Sequence, residues 1–446
     1  MARAADGTDH GAGASLPAPT AKEPTPAMTE SETVVPERPA VPRTAWTQLA
    51  VCTAVAALLQ ADGTIVTVAL PSVGSAFDIS AHAASWLLTA YFAVYALGLF
   101  PGGRLVDRLG PGTVALAGLT LFCAGTLVGA LAGSFEVLVA SRVLQGAGAG
   151  LASPAALAGA VSGFPAERRG TALGIWGAAS GLSNLVGPLL GGILTEAWGW
   201  RANWWALLPL GLLTALSVLR WVRPAVGPEP RERAGEGPGA RPPTAAVQGA
   251  SVVAALTFAM MIGTFFLVEQ YLQDAVGYGV LEAALAPMVL ALCIGAMGPV
   301  AGRLTDRFGE RMPAVAGFLA CAVAFAGYAL PGTPLHGPWL LPGGLLLGSG
   351  LGLLFPSTSR LALNSVPQWL HGRASSYLSF GRLAGAACGA ALAGLAFRDG
   401  VTSGHLRTAL IGGLLLAVLG AALVLLWFRR PAPADAAPKA GSEGRP

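Results

Sequence analysis

The sequence predicts an all-α integral membrane fold: two six-helix bundles with pseudo-twofold symmetry, about twelve transmembrane helices in all. Three observations predict it. Of the 446 residues, 54% are hydrophobic and only 11% charged, against about 25% charged in an ordinary soluble domain. Apolar segments long enough to cross the hydrocarbon core recur along the chain. One eight-residue loop pattern also occurs twice, at the same place in each half.

Residues 1–45 are rich in Ala, Pro, Thr and Glu and contain no apolar run. They read as a disordered cytoplasmic tail with no signal peptide, so the first span would act as its own insertion signal. Six apolar segments follow, near 46–70, 83–102, 113–133, 136–161, 171–195 and 203–222, giving an N-terminal bundle over 46–222. The stretch 223–248, with Pro228-Glu229-Pro230-Arg231-Glu232-Arg233, is too polar to span and reads as a cytoplasmic linker. A second set near 249–272, 281–301, 312–330, 337–359, 374–397 and 406–428 gives a C-terminal bundle over 249–428. Residues 429–446 form a second disordered cytoplasmic tail.

Arginines set the expected orientation, because basic residues collect in cytoplasmic loops. Arg104, Arg108, Arg168, Arg169, Arg303, Arg307, Arg311, Arg360 and Arg373 all fall in loops on one side, with the linker and both tails. Both termini are therefore expected in the cytoplasm, in a multi-pass protein of the cell membrane. The net charge of +4 gives no basis for a nucleic-acid partner. Cys52, Cys123, Cys293, Cys321 and Cys388 lie singly in separate apolar runs, which suits neither a disulfide framework nor a metal site. No nucleophile elbow or phosphate loop marks an enzyme.

The repeated loop is Gly103-Arg104-Leu105-Val106-Asp107-Arg108-Leu109-Gly110 after the second span and Gly302-Arg303-Leu304-Thr305-Asp306-Arg307-Phe308-Gly309 after the eighth. Gly103 reads as permitting a tight exit from the span. Asp107 and Arg108, like Asp306 and Arg307, stand where a carboxylate can meet a helix N-terminus and a guanidinium can bridge helix ends. Such a cluster would latch one conformational state.

On these residues the chain resembles the major facilitator superfamily over Trp46–Phe428. Three more motifs resemble its drug:proton antiporter branch. Asp62-Gly63-Thr64-Ile65-Val66-Thr67-Val68-Ala69-Leu70-Pro71 lies in the first span, Arg142-Val143-Leu144-Gln145-Gly146-Ala147-Gly148-Ala149-Gly150 in the fourth, and Gly187-Pro188-Leu189-Leu190-Gly191-Gly192 in the fifth. The resemblance implies a proton-coupled exporter of small hydrophobic or cationic compounds, working by alternating access and functional as a monomer. It implies no cofactor, the proton gradient supplying the energy, and Gly187, Pro188, Gly191 and Gly192 as the antiporter element. A symporter or uniporter for a small metabolite on the same fold is the alternative. The similarity is strongest to fourteen-helix members, yet the linker here cannot supply two further spans.

Physical chemistry singles out the same acid. A carboxylate inside a membrane is costly when charged, about 2.5–3.5 kcal/mol on insertion scales, so it normally faces a cavity or a partner. Burial favours the neutral form of a carboxyl, which lets such a group bind and release protons. Asp62 is thus either a proton-coupling site or a structural acid capping a helix break at Gly63. Arg142, with Gln145, is either its charge partner or an arginine snorkelling to the outer interface. Glu269 is either a second cavity acid or a residue at the outer membrane surface. Trp86, Tyr91 and Arg382 are candidates to line the substrate cavity, whereas Trp204 and Trp205 read as interfacial belt residues.

Overall fold

The computed structural model describes residues 41–165, 168–222, 245–366 and 371–427, with the backbone alone at several positions between 169 and 185 and at 371–373. Both tails (up to residue 40 and from 428) and residues 223–244 of the linker lie outside that set. Twelve long helices account for most of it: α1 (Arg43–Phe77), α3 (Trp86–Leu109), α4 (Pro111–Ala130), α5 (Phe135–Ser162), α6 (Arg169–Trp198) and α7 (Arg201–Trp221), then α8 (Ala245–Gln270), α9 (Val280–Phe308), α10 (Arg311–Ala329), α11 (Leu340–Asn364), α12 (His371–Ala396) and α13 (Ser403–Trp427). A four-residue helix, α2 (Ala81–Ala84), precedes α3, and the backbone of α8 continues as a π-helical segment over Tyr271–Val276. Among the described residues, ten helical segments are long and apolar enough to cross a membrane. The other two long helices are α5, which carries Glu136, Arg142 and Gln145, and α6.

Local chemistry sets the helix ends. Ser80 and Ser134 cap α2 and α5 by accepting the amides of Ala83 and Val137, at 3.2 and 3.4 Å. Gly110 and Gly309 adopt φ of 80° and 77°, which turns the chain out of α3 and α9. This corrects the expectation for the repeated loop. Gly103 and Gly302 lie within their helices, and a Cβ at either would meet nothing within 4 Å, so the tight exits belong to Gly110 and Gly309. The first span is also longer than expected. Pro71 sits inside α1 without ending it, as membrane helices allow when neighbours satisfy the freed backbone groups.

The two halves repeat one pattern of packing. In the first, α1 packs on α5, α6 and α7, α3 on α5, and α4 on α5 and α7; in the second, α8 packs on α11, α12 and α13, α9 on α11, and α10 on α11 and α13. Between the halves, α3 meets α12 and α6 meets α9, a pair of contacts that exchange under the twofold. Small residues permit the close approaches that hold helices together in lipid. On α12, for example, Gly381, Gly385 and Gly389 press on the backbone of Ser251, Ala255 and Ala259 of α8.

Candidate functional site

A charged cluster lies at the centre of the N-terminal half. Asp62 is the twentieth residue of the 35-residue α1, which passes through Gly63 unbroken, so it caps no helix break. Arg142 of α5 places one guanidinium nitrogen, Nη1, 2.9 Å from each carboxylate oxygen of Asp62 and 2.8 Å from Oε1 of Gln145. Its Nε donates to the Leu87 carbonyl of α3 at 3.1 Å, and the guanidinium stacks 4.1 Å from the Tyr91 ring centroid. Gln145 Nε2 donates to Asp62 Oδ1 at 3.3 Å and to the Thr126 hydroxyl of α4 at 3.0 Å. Asp62, Arg142 and Gln145 are all 0% exposed. The snorkelling alternative for Arg142 is thereby overturned: its long side chain turns inward to a carboxylate eighty residues away along the chain.

The geometry leaves slack in this cluster. Nη1 carries two hydrogens but faces three acceptors, while Nη2 of the same guanidinium is buried without a hydrogen-bond partner. Protonation of Asp62 would remove the charge that holds Arg142 and free it to favour Gln145 and the Leu87 carbonyl. An acid and a base so placed can exchange a proton for a conformational change.

The motif glycines explain how four helices reach this point. On α5, a Cβ at Gly146 would lie 2.6 Å from the Tyr91 carbonyl oxygen and one at Gly150 2.6 Å from Gly98 Cα, both on α3; one at Gly148 would lie 2.5 Å from the Gly118 oxygen on α4. On α6, a Cβ at Gly187 would run into the Thr64 hydroxyl and one at Gly191 would lie 2.5 Å from the Ile65 carbonyl oxygen, both on α1. Gly192 instead faces Ala284 of α9, in the other half. Gly187, Pro188, Gly191 and Gly192 are all buried. Helix α6 therefore touches α1 within a turn of Asp62 and the opposite half at once.

Other candidates go elsewhere. Trp86 opens α3 and is 52% exposed at the helix end, so it does not join the cluster. Tyr91 is fully buried, donates to the Leu59 carbonyl at 2.8 Å and backs the ion pair. Trp204, expected at the interface, is buried in edge-to-face contact with Trp200 at 5.5 Å, while Trp205 is exposed. Arg382 lies inside the C-terminal half, donating to the Ser359 hydroxyl at 2.7 Å between the rings of Phe258 and Phe355. Glu269 is fully buried near the end of α8, which removes it from the membrane surface. A small apolar pocket does open in that half, lined by Thr264, Phe265, Val268, Leu290, Tyr328 and Leu347, and none of Trp86, Tyr91, Glu269 or Arg382 lines it.

The repeated loop behaves as a tie in its second copy. Asp306 of α9 pairs with Arg360 of α11, and Glu310 accepts from Asn364 at 2.9 Å. Arg307 stacks on Phe308, and Arg108 is exposed. Asp107 is also engaged. Sequence reasoning missed Thr126, whose only signal was a hydroxyl within an otherwise apolar run; Thr64 and Thr67 stood in the Asp62–Pro71 motif without a role of their own.

Comparison with known proteins agrees with this architecture. The family model of the Major Facilitator Superfamily matches residues 52–382. The chain is 30% identical to the puromycin resistance protein pur8 of Streptomyces alboniger, over 78% of this chain and 80% of that protein. It is 28% identical to the multidrug resistance protein Stp of Mycobacterium tuberculosis, over 75% of this chain and 72% of that one. Another match is partial: an uncharacterized MFS-type transporter of M. tuberculosis, Rv1250, is 36% identical over 39% of this chain and 30% of its own length. Among solved structures, a bacterial homolog of the human lysosomal transporter Spinster, inward-facing and unoccupied, superposes with a TM-score of 0.71 at 19% identity, covering 89% of this chain and all of the other.

Proposed function

Since the chain belongs to the major facilitator superfamily and is a multi-pass membrane transporter, we propose that it is a proton-coupled antiporter that exports small hydrophobic or cationic compounds such as antibiotics. The observation that carries the reading is the buried Asp62–Arg142–Gln145 cluster, because an acid and base sealed among four helices have no structural need that apolar packing would not meet as well. Relatives named for resistance to puromycin, and for resistance to and export of tetracenomycin C, support the substrate class and the outward direction. In this reading the protein works in the cytoplasmic membrane with both termini inside, as a monomer, and needs no cofactor.

The cycle follows from the cluster. With Asp62 ionised, the pair with Arg142 ties α1 to α5. A proton entering from outside neutralises Asp62 and releases the tie. Helix α1 then shifts against α6, whose Gly187 and Gly191 touch it beside the acid, and α6 passes the shift to α9 through Gly192. Rocking of one half on the other exposes the path to the opposite side.

The test is proton-driven efflux in vesicles. Asp62→Asn should abolish it while the protein still inserts at normal level. Unchanged efflux in that variant would end the proposal. Acidification of the compartment that receives the solute would instead identify a symporter.

A further inference from the structure

Glu269 has no role in the cycle above, and its surroundings are unlike those of Asp62. It is 0% exposed, and neither carboxylate oxygen makes a hydrogen bond of standard geometry. The polar group facing it is the Thr67 hydroxyl of α1, in the other half. That hydroxyl donates to the Thr64 carbonyl at 2.7 Å, and turning its proton toward Glu269 would give up that bond. So disposed, it offers Glu269 its lone pairs. A protonated Glu269 can donate to them; an ionised one would face them as a second acceptor, buried and unpaired. The Gln270 side-chain oxygen beside it is also buried without a partner.

Among the described residues, no cation compensates. Basic groups on the helices packed against α8 are engaged or exposed: Arg382 with Ser359, Arg360 with Asp306, Arg407 with the Tyr328 carbonyl, His405 with that of Gly400, and Arg43, Arg303 and Arg307 at exposed helix ends. The side chains of His371 and Arg373 on α12 are outside the described set. Among acids, Asp62 is held by Arg142, Asp306 by Arg360, and Glu282 is exposed. Asp274 stands exposed one turn beyond Glu269.

The position is where the halves close. One turn on, Gln273 donates to the Val68 carbonyl of α1 at 3.1 Å, and nearby Glu196 of α6 accepts the Leu281 amide of α9 at 2.8 Å. These contacts join the two halves on the face where α1 ends. Directly after Gln270 the backbone winds into the π-helical segment Tyr271–Val276, a rare geometry that is frequent at functional sites.

We propose that Glu269 is a second proton-binding site, loaded from the face where α1 ends, whose proton is required for the α1–α8 seam to close. This rests on the transport reading but not on Asp62. The sign follows from linkage: the closed seam binds a proton that the open seam, wetted, can release to that side. Acid on that face therefore favours closure and base favours opening, by up to about tenfold in the closed-to-open ratio per pH unit for one linked proton. In an exporter, external acidity would drive the return to the state that loads substrate.

Two measurements on the full-length protein in nanodiscs test it. The first treats the wild type with dicyclohexylcarbodiimide, which attacks protonated carboxyls in apolar surroundings, and reads modification by mass spectrometry. Glu269 should be modified, and less so as pH rises. The second follows the distance between labels at Ala76→Cys and Ala275→Cys, in a background lacking the five native cysteines, across pH. The seam should open with rising pH in the Asp62→Asn chain, and that response should vanish, with the seam closed, when Glu269→Gln is added. Absence of modification at every pH, or a pH response that persists in Asp62→Asn/Glu269→Gln, would overturn the proposal. Efflux that survives Asp62→Asn would overturn the exporter mechanism and leave this site standing.

Discussion

Neutralising one member of the Asp62–Arg142 pair should cost more than neutralising both. Arg142→Gln leaves the Asp62 carboxylate with the Gln145 amide at 3.3 Å and the neighbouring Tyr91 hydroxyl, and Asp62→Asn leaves Arg142 a buried cation held by Gln145 at 2.8 Å, the Leu87 carbonyl at 3.1 Å and the Tyr91 ring. Removing one partner of a buried ion pair costs about 3–5 kcal/mol, whereas replacing both by neutral groups is often close to neutral. At about 2–4 °C per kcal/mol for a unit the size of one half, each single variant should melt about 6–20 °C lower, and the double variant Asp62→Asn/Arg142→Gln much nearer to wild type. The assay is thermal unfolding of the detergent-solubilised protein by tryptophan fluorescence, at one scan rate because such unfolding is seldom reversible. Proton-driven efflux should be absent from all three variants, so stability regained without transport would separate the pair's structural role from its coupling role. Losses that simply add in the double variant would refute the pairing.

Two further outcomes follow from the packing. Gly187→Leu puts a side chain into the Thr64 hydroxyl and close to the Ala61 carbonyl, an overpacking cost of about 1–3 kcal/mol. Efflux measured at matched membrane levels should fall sharply, and wild-type efflux would show that α6 need not touch α1 there. Asp306→Asn should lower stability by no more than about 1 kcal/mol, since the pair with Arg360 is solvent-exposed on both sides; a larger shift in melting temperature would show that the tie holds more than the α9–α11 corner.

Much of this protein was legible before any fold was known. Hydropathy is a sum along the chain, so the long helices could be read locally, as could the duplicated loop. An acid, a base and an amide inside apolar runs are conspicuous wherever they stand, which is why Asp62, Arg142 and Gln145 stood out from sequence alone. Direction was not legible. Whether Arg142 turned to lipid headgroups or to Asp62 depended on how α5 packs against α1, eighty residues away, and glycines at 146, 148 and 150 decided that by admitting α3 and α4 at backbone distance. The placement of the aromatic residues was not legible for the same reason. Nothing local distinguishes a tryptophan at an open helix end, like Trp86, from one buried beneath a neighbouring helix, like Trp204.

Glu269 marks the boundary most sharply. The sequence by itself determined that a carboxyl stands near the end of the seventh span, where surface and interior were equally consistent with its neighbours. Only the tertiary structure decided that it is sealed against Thr67 of the opposite half, because that contact joins residues two hundred positions apart. Local sequence sets the cost of placing a charge in a membrane; packing of the two halves decides whether it meets a partner, water or neither.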